Sequence, residues 1–325
     1  VSFSSTRVLV TGGAGFIGSH LVERLLHRGY RVRILDNFST GHRENIAPWL
    51  EDVEVVEGDI QSYERVHTAV QGCEVVFHEA ALPSVPRSIQ DPLTSNAANV
   101  IGTLNLALVA RDSGVQRAIF ASSSSVYGAN EALPKHEGLQ PCPISPYAVA
   151  KLAAEGYCQS FFHVYGLETV ALRYFNVFGP RQDPLSQYAA VIPNFITAMH
   201  AGCSPRVYGD GEQSRDFTYV DNVVEANMRA MEAPDVGGKA FNVACGQQIT
   251  LNHLLAELRD LTGSRLAAEY LPARPGDVLH SLADISRAEH ELGYLPTIDF
   301  REGLRRTLEF YGGAAMPFET PALAA

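Results

Sequence analysis

Short apolar runs alternate with longer segments whose apolar residues recur every three or four positions. Residues 7–10 read as a short buried strand, followed after TGGAGFIGSH by an amphipathic helix through about Arg28. Arg31–Asp36 and Val53–Glu57 read as the second and third strands, residues 62–70 as a helix, and residues 74–78 as the fourth strand. A long helix is expected over residues 96–113, a fifth strand over 117–122, another helix from Ser145 and a sixth strand over 168–173. Strands alternating with helices predict an α/β fold, a parallel sheet covered by helices on both faces. Right-handed crossovers make such a sheet doubly wound.

After about residue 178 the rhythm changes. Gly and Pro become frequent, helices shorten, and strands such as RVYGDG and AFNVA stand alone. The expectation is a first unit over residues 1–178 and a smaller α/β unit over 179–312, set above the carboxyl edge of the sheet. Some later segments are expected to rejoin the first unit. Residues 313–325 lack periodicity and read as a flexible tail.

The net charge of −11, with no basic run, argues against a nucleic-acid surface. Neither an apolar run of the roughly 18 residues needed for a membrane span nor a signal peptide ahead of RVLVTGG is expected. Five widely spaced cysteines without a CxxC suit reduced thiols in a cytoplasm. The histidines form no HxH or HxxxH pair, so no metal site is expected.

The first strand runs into Gly12, Gly15 and Gly18 at GxxGxxG spacing. Gly12 allows a tight turn, Gly15 a close approach of backbone to a pyrophosphate, and Gly18 close helix–strand packing. The helix start then offers free N–H groups and a positive dipole end to phosphates. Asp36 closes the second strand where a ribose-binding carboxylate belongs, and it favours NAD by repelling a 2′-phosphate. Asp59, after the third strand, lies where adenine would sit, and Ala80 and Ala81, after the fourth, where a cofactor would pack.

SPYAVAK, residues 145–151, carries the chemistry. Ser145 suits an N-cap and Pro146 the first helical position. Tyr147 and Lys151 then share one face, a turn apart. Lowering a tyrosine pKa from about 10 to near 7 takes roughly 4 kcal/mol, much of which a nearby cation in a closed site supplies. The serine run 122–125 ends the fifth strand nearby.

On these features the chain resembles the extended short-chain dehydrogenase/reductases, and within them the UDP-sugar 4-epimerases, to about Tyr311. The matching segments are TGGAGFIG, strand-end Asp36, the serines before VYG, SPYAVAK, RYFNVFGPRQ (173–182), SRDFTYVDN (214–222) and RPGDVLHSLADISRA (274–288). The resemblance implies a Rossmann-type sheet with a smaller carboxyl-terminal substrate-binding unit. It makes Tyr147 the general base and acid, Lys151 the ligand of the nicotinamide ribose that lowers the tyrosine pKa, and Ser123 the hydrogen-bond partner of the sugar 4-oxygen. Phe16 and Ile17 join the glycines around NAD, and Asn37, Ser39, Thr40 and Gly41 join Asp36. Ile60, Asn99, Ser122, Tyr174 and Asn176 complete the cofactor set, with Tyr174 and Asn176 beside the nicotinamide. On the substrate side it implies Ser84, Arg87, Ser124, Ser125, Asn176, Ala190, Val191, Asp277 and Ser281. Tyr208 would stack near uracil, while Arg215 and Arg274 clamp the diphosphate. A homodimer built on paired helices is implied as well.

The implied reaction removes the 4-hydroxyl proton through Tyr147 as hydride leaves C4 for NAD. The 4-keto sugar turns about its diphosphate link, and hydride returns to its other face. The role would be an isomerase of nucleotide-sugar metabolism, serving polysaccharide biosynthesis. Sugar-nucleotide 4,6-dehydratases carry an Asp–Glu pair where this chain has Ser124 and Ser125, and UDP-glucuronate decarboxylases usually place Glu at the latter position. A non-catalytic NAD-binding regulator would need no Tyr147–Lys151 pair. Among epimerases, Ser281 replaces a tyrosine frequent in glucose-selective enzymes, which leaves room for a 2-N-acetyl group. The segments SVPRSIQDP (84–92) and RQDPLSQYAAVIP (181–193) also look most like N-acetylhexosamine epimerases. The expected substrates are UDP-N-acetylglucosamine and UDP-N-acetylgalactosamine, with UDP-glucose accepted. A strict UDP-glucose 4-epimerase is the first alternative and a UDP-glucuronate 4-epimerase the second, with Arg87 and Arg181 as its candidate cations.

Overall fold

Neighbouring residues on a strand face opposite sides of a sheet, so burial of both sides requires continuous apolar strands. In β1 (Arg7–Thr11), Val8 and Val10 join Leu21, Val22 and Leu25 of α1 (Phe16–His27) in one core. Leu9, between them, joins Val66 of α2 (Tyr63–Val70) and Leu106 of α3 (Gly102–Asp112) in the other. The computed structural model describes residues 6–184, 190–273 and 279–313.

The other strands of the main sheet are β2 (Arg31–Asp36), β3 (Val53–Glu57), β4 (Val75–His78), β5 (Arg117–Ser123), β6 (Glu168–Tyr174) and β7 (Lys239–Val243). They form one seven-stranded sheet in the order β7-β6-β5-β4-β1-β2-β3, every pairing parallel. The chain therefore folds as a Rossmann-type α/β sheet whose order reverses between β1 and β4, where such folds open a ligand crevice. AFNVA, expected to stand alone, belongs to β7 and extends the sheet beside β6.

The helix expected over residues 96–113 begins earlier. Asp91 caps it by accepting from the Thr94 N–H at 3.0 Å, Pro92–Asn96 forms the first turn, and a π-turn at Ala97–Ile101 leads into α3. An 18-residue window within the helical run Pro92–Asp112 reaches a mean hydropathy of 1.2, enough to cross a membrane by length and composition alone. More than half of it is buried inside the protein, so its apolar character serves the core.

The longer helices that follow are α4 (Pro146–Tyr165), α5 (Val191–His200), α6 (Val220–Glu232), α7 (Leu251–Thr262) and α8 (Phe300–Gly313). A second core gathers Phe195 of α5, Leu254 and Leu258 of α7 and Leu304 of α8 around three aromatic rings. Phe217 lies 6.2 Å from Phe178, edge to face, and 5.5 Å from Phe300, stacked. Residues of this second region and the carboxyl ends of the strands line a common cleft.

Candidate active site

The cleft holds about 1380 Å³, above the usual volume for one small ligand and enough for a dinucleotide and a nucleotide sugar together. Its floor begins at the glycine turn. Gly12 has φ +69°, and a Cβ there would stand 2.7 Å from the Ala80 nitrogen. A Cβ on Gly18 would meet the Gly12 carbonyl at 2.1 Å, so helix and turn touch through bare backbone. Gly15 caps α1 and leaves its first N–H groups facing the cleft beside Phe16 and Ile17.

Asp36 is buried, and its oxygens accept from the Ala14 N–H at 2.9 Å and the Phe38 N–H at 2.8 Å. Burial raises its carboxyl above the usual range, against these bonds. Asn37 donates to Asp59 at 2.8 Å, which ties the loop after β2 to the loop after β3. Ser39, Thr40, Gly41, Ile60, Ala80 and Ala81 line the same end of the cleft. Free helix N–H groups, a side-chain-free turn and a buried carboxylate fit a dinucleotide's phosphates and ribose.

The chemistry end is built on α4. Ser145 accepts from the Ala148 N–H at 3.2 Å and Pro146 opens the helix, as expected. Ser88 Oγ also accepts from the Tyr147 N–H, at 3.1 Å. Tyr147 is half-buried and lines the cleft, and burial pushes its hydroxyl up to about 12 while a hydrogen bond with Ser123 pulls it down. Lys151 is brought down to about 8, again by burial. This corrects the expected depression of the tyrosine in the protein by itself. Lys151 Nζ donates to the Ala121 carbonyl at 2.7 Å and stands 5.9 Å from the Tyr147 ring, so desolvation wins over its cation.

Other expected residues separate into those that face the cleft and those that do not. Ser124 and Ser125 line it, and among the described residues Ser125 Oγ is buried without a hydrogen-bond partner. Ser84, Arg87, Tyr174, Asn176 and Ser281 line it too. Ser122 also lines it, but its hydroxyl donates to Glu155, so that group is already used. Asn99 is expected beside the cofactor. It is buried, outside the cleft lining, and its amide is used on Leu82, accepting from the N–H at 2.9 Å. Ala190, Val191, Tyr208 and Arg215 converge with Asn176 on an adjoining pocket of about 260 Å³. Arg274 and Asp277 lie outside the described residues.

The cleft also holds residues that the sequence reading did not assign. Glu79 follows β4, and its Oε1 accepts from the Tyr174 hydroxyl at 2.8 Å. Gln182 faces the cleft from the GPRQ segment, beside Arg181, which the sequence offers as a candidate cation for a uronic sugar. Beneath the site, Arg173 grips Glu155 at 2.9 and 2.7 Å and donates to Tyr127 at 3.0 Å. Tyr127 donates to Asn242 at 2.7 Å, whose amide donates to the Lys135 and Asp284 carbonyls at 2.9 and 3.0 Å. This chain of bonds joins the end of β5 to the segment that carries Ser281.

Residues 8–244 match the NAD dependent epimerase/dehydratase family. The chain is 40% identical to the UDP-glucose 4-epimerase of Mycolicibacterium smegmatis over 94% of its own length and 98% of that protein's. A UDP-N-acetylglucosamine 4-epimerase from Methanobrevibacter ruminantium, solved in complex with UDP-N-acetylmuramic acid, is 44% identical with a TM-score of 0.91, over 95% of this chain and 99% of that one. The UDP-glucose 4-epimerase of Thermus thermophilus, solved with NAD, is 37% identical with a TM-score of 0.87, over 95% of this chain and 100% of that one. The glycine turn, the strand-end carboxylate, the Tyr147–Lys151 helix and these likenesses agree: the chain belongs to the NAD-dependent epimerase/dehydratase family.

Proposed function

We propose that this protein, an NAD-dependent UDP-sugar 4-epimerase, acts on UDP-N-acetylglucosamine and UDP-N-acetylgalactosamine and accepts UDP-glucose more loosely. The observation that carries the preference is Ser281. A small hydroxyl side chain lines the cleft there, leaving space beside the sugar for a 2-N-acetyl group. Ser125 Oγ, buried without a hydrogen-bond partner among the described residues, supports a polar sugar substituent near the end of β5. The relative that binds UDP-N-acetylmuramic acid agrees with an N-acetylated sugar.

When bound, NAD supplies hydride chemistry at sugar C4, with no net redox. Tyr147 takes the 4-hydroxyl proton and returns it, and Ser123 orients the 4-oxygen. Lys151 favours the phenolate and holds the nicotinamide ribose. Gly12, Gly15, Gly18 and Asp36 hold the pyrophosphate and adenosine ribose. Tyr208 and Arg215, in the adjoining pocket, hold uracil and diphosphate at a distance from C4. Anchoring the nucleotide while leaving the sugar free lets either face turn toward the reacting centre.

Two copies pairing through helices would cover Leu93, Ile101, Val149 and Val164, which are exposed on Pro92–Asp112 and α4. Five free cysteines support a cytoplasmic location. The test is turnover of UDP-N-acetylglucosamine, UDP-glucose and UDP-glucuronate under one set of conditions. A higher kcat/KM for UDP-glucuronate than for the N-acetyl sugar would overturn the substrate reading.

A further inference from the structure

A buried ammonium loses its charge unless an anion supports it. Lys151 is buried, and the ionisable groups around it are Tyr147, Glu155 and Cys158 on α4, with His78 and Glu79 at the end of β4. Tyr147 and Cys158 are neutral near neutral pH, both pushed up to about 12 by burial. His78 is neutral as well, brought down to about 3 by burial. Glu155 is already engaged, since Arg173 donates to both its oxygens.

Glu79 differs from all of these. His78 pairs with Phe120 in the sheet; Glu79 follows the one, and Ala121, the residue whose carbonyl takes Lys151 Nζ, follows the other. Its carboxyl is clamped across the end of β5 by the Tyr174 hydroxyl, and Asn227 donates to that hydroxyl at 2.8 Å. Among the described residues its hydrogen-bond partner is thus a neutral hydroxyl rather than a cation.

We propose that Glu79 is a positioning residue of the reaction: held by Tyr174, its carboxylate keeps Lys151 cationic beside Tyr147. The proposal rests on the UDP-sugar 4-epimerase reading. Burial raises the Glu79 carboxyl to about 7, so it is ionised where Lys151, brought down to about 8, still keeps its proton. An anion beside an ammonium raises its pKa. Removing that anion makes Lys151 lose its proton at lower pH, and activity fails earlier on the alkaline side.

Glu79→Gln keeps the shape and an acceptor for Tyr174 while removing the charge. The full-length wild type and variant, matched for NAD content by extraction, are assayed for UDP-sugar turnover against pH. The alkaline limb of kcat is expected about one pH unit lower in Glu79→Gln, with KM unchanged. Tyr174→Phe, which loosens the carboxyl but keeps it, is expected to shift the limb the same way by less. An unmoved limb in Glu79→Gln, or a loss of equal size at every pH in both variants, overturns the proposal. A wild type that converts no UDP-sugar at any pH overturns the epimerase reading itself, an outcome distinct from an active wild type whose variant keeps its limb.

Discussion

Tyr147 and Lys151 lie one turn apart on α4, with the lysine Nζ 5.9 Å from the tyrosine ring and bonded to the Ala121 carbonyl. The pair is assembled, and in the protein by itself burial pushes the tyrosine hydroxyl up to about 12. Tyr147→Phe is therefore expected to remove a proton carrier and little else. NAD content and UDP-sugar affinity should match the wild type while epimerisation falls by at least about a hundredfold. Ligand titration together with turnover checks both halves.

Ser281 tests the substrate preference. Ser281→Tyr fills space at the cleft wall, where the N-acetyl group is expected. It should lower kcat/KM for UDP-N-acetylglucosamine by about tenfold or more and that for UDP-glucose much less. Equal losses on both sugars would remove Ser281 as the discriminating position.

Arg181 ties the segment after β6 to the cofactor end. It pairs with Glu23, reaches Ser19 Oγ at 3.4 Å and stands 5.0 Å from the Trp49 ring. His20 bonds the Pro180 carbonyl at 3.0 Å, which fastens the same segment to α1. Because Arg181 also lines the cleft, Arg181→Ala should speed NAD release by about tenfold, or about 1.4 kcal/mol. NAD retained through gel filtration measures it, and retention equal to wild type would contradict it.

The Glu155–Arg173 pair is buried on both sides. Glu155→Gln strips the charge that Arg173 needs and should cost about 3–5 kcal/mol of stability. Denaturant unfolding measures the loss.

His20 and His78 are neutral in the fold, brought from 6.5 to about 4 and about 3 by burial. The unfolded chain therefore binds more protons than the native one below pH 6.5. Stability is present above that value and falls with acidification, until each native pKa is reached. His78 also bridges Thr11 and Thr103, at 2.8 and 2.9 Å. His78→Gln should reduce the acid slope of stability by about 1.4 kcal/mol per pH unit between about pH 5.5 and 3.5.

The sheet could be read in advance because its strands are apolar on both faces and their spacing repeats. β7 resisted that reading, since a five-residue strand distant in sequence shows no sign of its partner until β6 is placed beside it. The start of α4 was visible because Ser145 and Pro146 act locally. Asn99 and Glu79 were harder for the opposite reason: their partners, Leu82 and Tyr174, are set by tertiary contact. The tyrosine's proton affinity was misjudged because spacing reports the neighbouring lysine but not the loss of water around the hydroxyl.

The most direct test follows the sugar itself. Purified protein with its own bound NAD is mixed with UDP-N-acetylglucosamine, without added cofactor or reductant, and C4 configuration is followed by proton NMR. UDP-N-acetylgalactosamine should accumulate to a constant ratio, with no net NADH and no product from Tyr147→Phe. Unchanged sugar in the presence of bound NAD, or equal conversion by Tyr147→Phe, would contradict the account.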